Sequence, residues 1–163
     1  MKRLIGTIIA LFAFLAIAFV SEVNKQNAAR KTPTVGILQT MSHPALDQIH
    51  RGIIQGLKDE GYIEGKNLKI DFQNAQGDQS NLKSMSDRFS QENATVTIGI
   101  ATPAVQSLAN TSGNIPVVMG AVSDPLGTHL VKSLTHPGGK ITGVQDRQPI
   151  ASQLALMQEI LPK

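Results

Sequence analysis

The chain has 163 residues, 41% of them hydrophobic, 17% charged and 4% aromatic, with no Cys and no Trp. That length suits one domain, and the lack of Cys excludes disulfide frameworks, thiolate zinc sites, thiol catalysis and a lipid-modified N-terminal Cys. The formal net charge of +3 is unevenly spread: residues 1–32 hold five of the 15 basic side chains and one of the 12 acidic ones. The body is therefore nearly neutral and poor in stacking aromatics, so nucleic acid is not an expected partner.

Met1-Lys2-Arg3 precedes an apolar run of 17 residues from Leu4 to Val20, and the polar stretch Ser21 to Thr32 follows. The run is longer than a signal-peptide apolar region of about 7 to 15 residues and at the lower limit of about 17 to 25 for a spanning helix. Residues 1–32 thus read either as a signal peptide, with Ala16-Ile17-Ala18 as the cleavage pattern, or as an uncleaved hydrophobic helix that anchors the chain in the membrane. Both place residues 33–163 outside, at the outer face of the cytoplasmic membrane or in the periplasm.

Beyond Pro33, apolar runs alternate with amphipathic stretches, the pattern of βα units and a parallel sheet. Val35 to Leu38 is a short continuous apolar run suited to a central strand. Leu46, Ile49, Ile53 and Leu57 form a helical stripe, with Pro44 in the first turn and Gly61 as the stop. Leu68, Ile70 and Phe72 alternate with Lys69, Asp71 and Gln73, which predicts a strand with one polar face near the sheet edge.

A short helix begins near Asp78, a cap, and carries Leu82, Met85 and Phe89. Val96 to Ala101 and Ile115 to Ala121 read as two more buried strands, joined by a helix with Val105 and Leu108 on its apolar side. Gly138-Gly139 turns the chain into a fifth strand, Ile141 to Val144. A last helix carries Leu154, Met157 and Leu161 and stops at Pro162. Nothing in the rest of the chain covers that stripe, so its side chains are expected to be partly exposed. The expected fold class is α/β: a parallel sheet flanked by helices on both faces, flavodoxin-like, preceded by the hydrophobic N-terminal helix.

In such a sheet, ligands bind outside the carboxyl ends of the strands, where helix N-termini present free N–H groups. Three edges qualify, each with a proline and small or polar residues. The first is Gln39 to Pro44, with Ser42 and His43. The second is Ala101-Thr102-Pro103-Ala104, where Thr102 is expected as the cap and Pro103 as the first helical residue, leaving a hydroxyl and N–H groups for a carboxylate. The third, Ala121-Val122-Ser123-Asp124-Pro125, adds a carboxylate suited to an amine. Together they suit a small zwitterion, although each alone is more often an ordinary capped βα loop.

Enzyme motifs fail by contrast. Gly61 to Lys66 is one residue short of a phosphate loop, lacks the Ser/Thr after Lys66 and sits between helix and strand rather than strand and helix. His43, His50, His129 and His136 show no metal-ligand spacing; His50 is expected on a solvated helix face. No Gly-x-Ser-x-Gly elbow or His-Glu-x-x-His motif occurs. Neither catalysis, a metal nor a cofactor is expected.

The segments His43 to Asp47, Gly61 to Asn67, Asn74 to Ser80, Ala101 to Ala104, Asp124 to Gly127 and Pro137 to Val144 together resemble the exported substrate-binding proteins of ABC importers. More narrowly they are similar to the branch with tryptophan- and other aromatic-amino-acid-binding members. The resemblance runs from Pro33 to Lys163. It implies a two-lobe clamshell of the type I periplasmic-binding-protein kind, of which residues 33–163 match the N-terminal lobe only, and an ABC transporter permease as partner. It also implies ligand-facing roles for Ser42, His43, Thr102, Ala104, Ala121, Ser123 and Asp124, with Asn74, Gln76 and Asp78 at the rim. The lipidation Cys of many Gram-positive members is missing, which adds weight to the uncleaved anchor. The sequence reading is thus the truncated ligand-capturing component of an importer, taking an amino acid, with a ligand-sensing regulatory domain of the same clamshell type as the alternative.

Overall fold

A computed structural model describes residues 32–111 and 113–161. The leader and Pro162 lie outside the described residues. Among the described residues, no helix is long and apolar enough to cross a membrane.

Five strands, β1 (Thr34–Gln39), β2 (Lys69–Asn74), β3 (Val96–Ile100), β4 (Val117–Val122) and β5 (Ile141–Gln145), form one sheet in the order β2-β1-β3-β4-β5. All neighbours are parallel, as the alternation of apolar runs and amphipathic stretches predicts. The helices are α1 (Pro44–Asp59), α2 (Gln79–Gln91), α3 (Thr102–Thr111) and α4 (Ile150–Ile160). Right-handed crossovers to one side from β1 and to the other from β3 place α1 and α3 on opposite faces. Leu46, Ile49, Ile53 and Leu57 of α1 pack on Val35, Ile37, Ile98 and Ile100. On the other face Leu82 and Phe89 of α2 and Val105 and Leu108 of α3 pack with Leu38, Val117 and Met119.

Two glycines let the second layer come close. A Cβ on Gly36 would lie 2.8 Å from Phe89 Cγ, and one on Gly99 would lie 2.8 Å from the Val105 backbone nitrogen. Between α2 and α3, the buried hydroxyls of Ser86 and Ser107 satisfy each other at 2.9 Å.

The helix ends follow local chemistry. α1 stops where Gly61 adopts φ +84° and the N–H groups of Gly61 and Tyr62 return to the carbonyls of Lys58 and Leu57. Asn93, at φ +54°, does the same for α2, its N–H on Ser90 and that of Ala94 on Phe89. Asp78 caps α2, accepting from the Asn81 N–H.

Two local expectations are corrected, at His50 and at the start of the fourth strand. His50 is half-buried instead of solvated, stacked on Phe72 at a ring separation of 4.0 Å, and burial pushes its imidazole below the ordinary histidine range. β2 is the sheet edge as expected, and on its polar face Lys69 is exposed while Asp71 is buried and paired with Arg88 of α2 at 3.2 Å. The fourth strand starts at Val117 rather than Ile115.

The α4 helix bears no buried residue and no side-chain cap. Leu154 and Met157 are each 55% exposed and Leu161 70%, in keeping with the uncovered stripe seen in the sequence.

Candidate ligand-binding edge

Strand register decides which loops meet. Gln39 pairs with Asn74 on one side and Ile100 on the other, and Ile100 pairs with Gly120. The loops after β2, β1, β3 and β4 therefore lie side by side along one edge of the sheet. Crossovers leave β1 and β3 in opposite directions, so the topological switch point, the usual ligand crevice of an open α/β sheet, falls between the Thr40–His43 and Ala101–Thr102 segments.

The first loop is tied to both neighbours. The buried Thr40 donates its hydroxyl to the Ile100 carbonyl at 3.1 Å, and its own carbonyl accepts the Gly77 N–H at 2.8 Å. Ser42 is exposed, and its Oγ accepts from Asn74 Nδ2 at 3.0 Å. His43 is the N-cap of α1, with Nδ1 accepting the Ala45 N–H at 3.3 Å. Its ring is thus engaged in capping, and its exposed remainder faces solvent.

After β2, Asn74 Oδ1 accepts the Gln76 N–H while Gln76 turns through φ +54°. Asp78 holds the Ser80 hydroxyl as well as the Asn81 N–H. The Ser80 hydrogen bond first, then those from the Asn81 and Ser80 backbone, keep this carboxyl below the ordinary carboxylate range.

The second edge corrects the sequence reading in two respects. Ala101 occupies the cap position, at φ +72°, with its carbonyl accepting the Val105 N–H. Thr102 is consequently the first residue of α3 and not its cap, and its partly exposed hydroxyl makes no hydrogen bond to the described residues. The left-handed turn at Ala101 moves the helix start one residue upstream, a shift residue types alone do not reveal. Ala104 is completely buried in the core beneath α3, so it backs the edge without presenting a surface to a ligand.

On the third edge, Ala121 turns at φ +63° beside a break in the β4–β5 register. Ser123 and Asp124 are exposed. Gln145 Nε2 donates to the Ser123 carbonyl at 3.0 Å, which fixes the loop backbone and leaves the hydroxyl unused among the described residues. Asp124 Oδ1 accepts the Gly127 N–H at 2.8 Å, a local turn that occupies one carboxylate oxygen. Non-glycine residues at positive φ thus stand just after β2, just after β3 and at the end of β4 on this same edge, and such backbone costs are concentrated at functional sites.

Gln39 and Thr40 belong to the first edge expected from the sequence, but no role was expected of either. Gln39 and Thr40 are both buried. A buried polar pair at the end of an apolar run carries no periodic signal that tells it from an exposed loop start, so the edge was legible and the burial was not.

Comparison with known proteins bears on what this edge serves. A family model described as "ABC transporter substrate binding protein" matches residues 34–163. The chain belongs to this family. It is 40% identical over 143 residues to a tyrosine-binding protein of Clostridioides difficile (strain R20291), a match covering 88% of this chain and 41% of the relative. It is 44% identical, with a TM-score of 0.75, to an ABC domain from Streptococcus pneumoniae solved in complex with L-Trp, over 78% of this chain and 43% of that one. A ligand-free, open substrate-binding protein with adhesive properties from Clostridium difficile superposes with a TM-score of 0.72 at 36% identity, over 80% of this chain and 44% of that one. The chain therefore spans less than half the length of these relatives, and the parallel five-stranded lobe is the part it shares with them.

Proposed function

We propose that this chain is the N-terminal lobe of an extracytoplasmic substrate-binding component of an ABC importer, and that its carboxyl edge contributes one wall of a cleft for an amino acid with an aromatic side chain. The observation that carries this reading is the convergence of the Ser42, Thr102 and Ser123 loops on the switch point of a lobe shared with Tyr- and Trp-binding relatives. The ligand carboxylate faces the Thr102 hydroxyl and the first N–H groups of α3, where the helix dipole favours negative charge. The ammonium lies toward Asp124, whose Oδ2 is not taken up by the turn, and toward Ser42. His43, Ala121 and the rim residues Asn74, Gln76 and Asp78 shape the mouth. Tyr62 lies beyond the C-terminal end of α1, at the opposite end of the sheet from these loops, so the aromatic side chain is gripped by a second lobe in a longer protein.

This role requires no catalysis by the chain. The permease and the leader's function as signal or anchor belong to the same proposal. The test is a titration of the isotope-labelled full chain with millimolar L-tryptophan, followed by amide NMR. Shifts confined to residues 40–43, 74–78, 101–102 and 121–124 are expected, with L-aspartate producing none. Shifts elsewhere, or none with any amino acid, would reject the edge as the ligand wall.

A further inference from the structure

Gln39 is the last residue of β1 and is fully buried. Its Nε2 donates to the Met41 carbonyl at 2.8 Å and to Asp47 Oδ1, in the first turn of α1, at 2.7 Å. Both partners can only accept, so the nitrogen side of the amide must face them and the amide orientation follows from the chemistry. Oε1 on the other side is buried and has no partner among the described residues. The polar hold on this buried group therefore rests entirely on Met41 and Asp47.

Those two contacts bracket the residues that reach the cleft. Thr40 is pinned to Ile100 and Gly77 on one side, and α1 begins at Pro44 on the other. Between them, Met41, Ser42 and His43 are exposed. From beneath, this stretch is held by the Gln39 amide.

We infer that Gln39 is a positioning residue: without touching the ligand, it sets the path of Met41–His43 by clamping the Met41 carbonyl to Asp47, and so presents Ser42 and the start of α1 to the cleft. The ligand half of this inference rests on the proposed function, whereas the control of the loop does not. Two readouts on the full chain separate them.

The first is the backbone order parameter of Met41, Ser42 and His43 from amide relaxation, with Ile37 and Ile98 as internal references. The wild type should sit near the rigid value of about 0.85 and Gln39→Met should fall toward about 0.6, with the references unchanged. Asp47→Ala should loosen the same three residues, and Asp47→Asn, which keeps an accepting oxygen, should recover what Asp47→Ala loses. Because Gln39→Met already removes the bond that Asp47→Ala removes, Gln39→Met with Asp47→Ala should be no looser than Gln39→Met alone. If Gln39→Met does not fold, the contrast between Asp47→Ala and Asp47→Asn decides the matter. Loop order unchanged in Asp47→Ala, or mobility rising equally at Ile37 and Ile98, overturns the inference.

The second readout is L-tryptophan affinity, expected to weaken about tenfold in Gln39→Met and Asp47→Ala. A wild type that ignores L-tryptophan rejects the proposed ligand while the order parameters still decide the clamp. A wild type that binds, with variants unchanged, rejects the positioning role itself.

Discussion

The candidate edge depends on single side chains whose roles differ although their residue types are similar. Thr102 and Ser123 both offer hydroxyls unused among the described residues, whereas the Ser42 oxygen accepts from Asn74. Thr102→Ala should weaken L-tryptophan binding by about one hydrogen bond, roughly 0.5 to 1.5 kcal/mol, without moving the thermal midpoint, because the Thr102 hydroxyl bonds nothing among the described residues. Calorimetric affinity and a melting curve on the same sample check both halves. Ala101 sits at φ +72°, where an L-residue pays about 1 to 2 kcal/mol. Ala101→Val should therefore lower the melting midpoint, and Ala101→Gly should hold or raise it, since glycine trades that strain against a smaller unfolded-state entropy cost of about 0.4 to 1 kcal/mol. A midpoint higher for Val than for Gly would mean the turn relaxes when substituted. Residue types pointed to Thr102 and Ser123 because a hydroxyl beside a helix N-terminus suits a carboxylate; that holds at Thr102, whereas β4 leads to β5 with no helix between them, so Ser123 has no helix N-terminus beside it. The strained alanines were invisible, because alanine carries no preference for the left-handed region and only the fold imposes it.

At the scale of elements, strands and helices were legible where one physical rule dominated. Val35 to Leu38 had to be covered on both faces, and the α1 stripe at Leu46, Ile49, Ile53 and Leu57 fits only a helix. The readings failed where two elements settle a question jointly. The polar face of β2 was legible from its alternation, but not that Arg88 of α2 lies across the buried Asp71 and supplies the countercharge. His50 looked solvated until Phe72 of the neighbouring strand came beneath it. The Asp78 cap was legible because capping is local, and its chemistry gives α2 an acid limit. The Ser80 and Asn81 hydrogen bonds hold its carboxyl below the ordinary range, so the folded state binds a proton less readily than the unfolded chain. That contribution is complete above the unfolded carboxylate pKa and is lost as pH falls through the folded one. Amide exchange in the first turn of α2, corrected for its intrinsic pH dependence, should thus accelerate on acidification below about pH 4. Asp78→Asn keeps an acceptor and should flatten that profile, while Asp78→Ala should show fast exchange at every pH. An acid response that persists in Asp78→Asn would assign it to another group.

For the whole molecule, what matters is apolar surface that the lobe does not cover. Among the described residues, the α1 face of the sheet carries α1, and beside it an open groove of about 840 Å³ runs past Ile53, Tyr62, Val118 and Val144, with Val144 68% exposed. Gly52 and Gly56 on α1 have nothing within 4 Å of a Cβ position, so the helix wall of this groove is low. The α4 helix adds Leu154, Met157 and Leu161. Contiguous apolar surface of this kind is a liability for an isolated monomer, and α4 returns no packing energy to the sheet because none of its residues is buried. Replacing Leu154 and Met157 with Lys should accordingly reduce concentration-dependent sedimentation and the fluorescence of a bound apolar dye, while the melting midpoint of the full chain stays where it was. A midpoint several degrees lower would mean that α4 packs against the lobe in solution. An unchanged dye signal would place the exposed apolar surface in the α1 groove alone, and Val144→Lys would then be the variant that removes it.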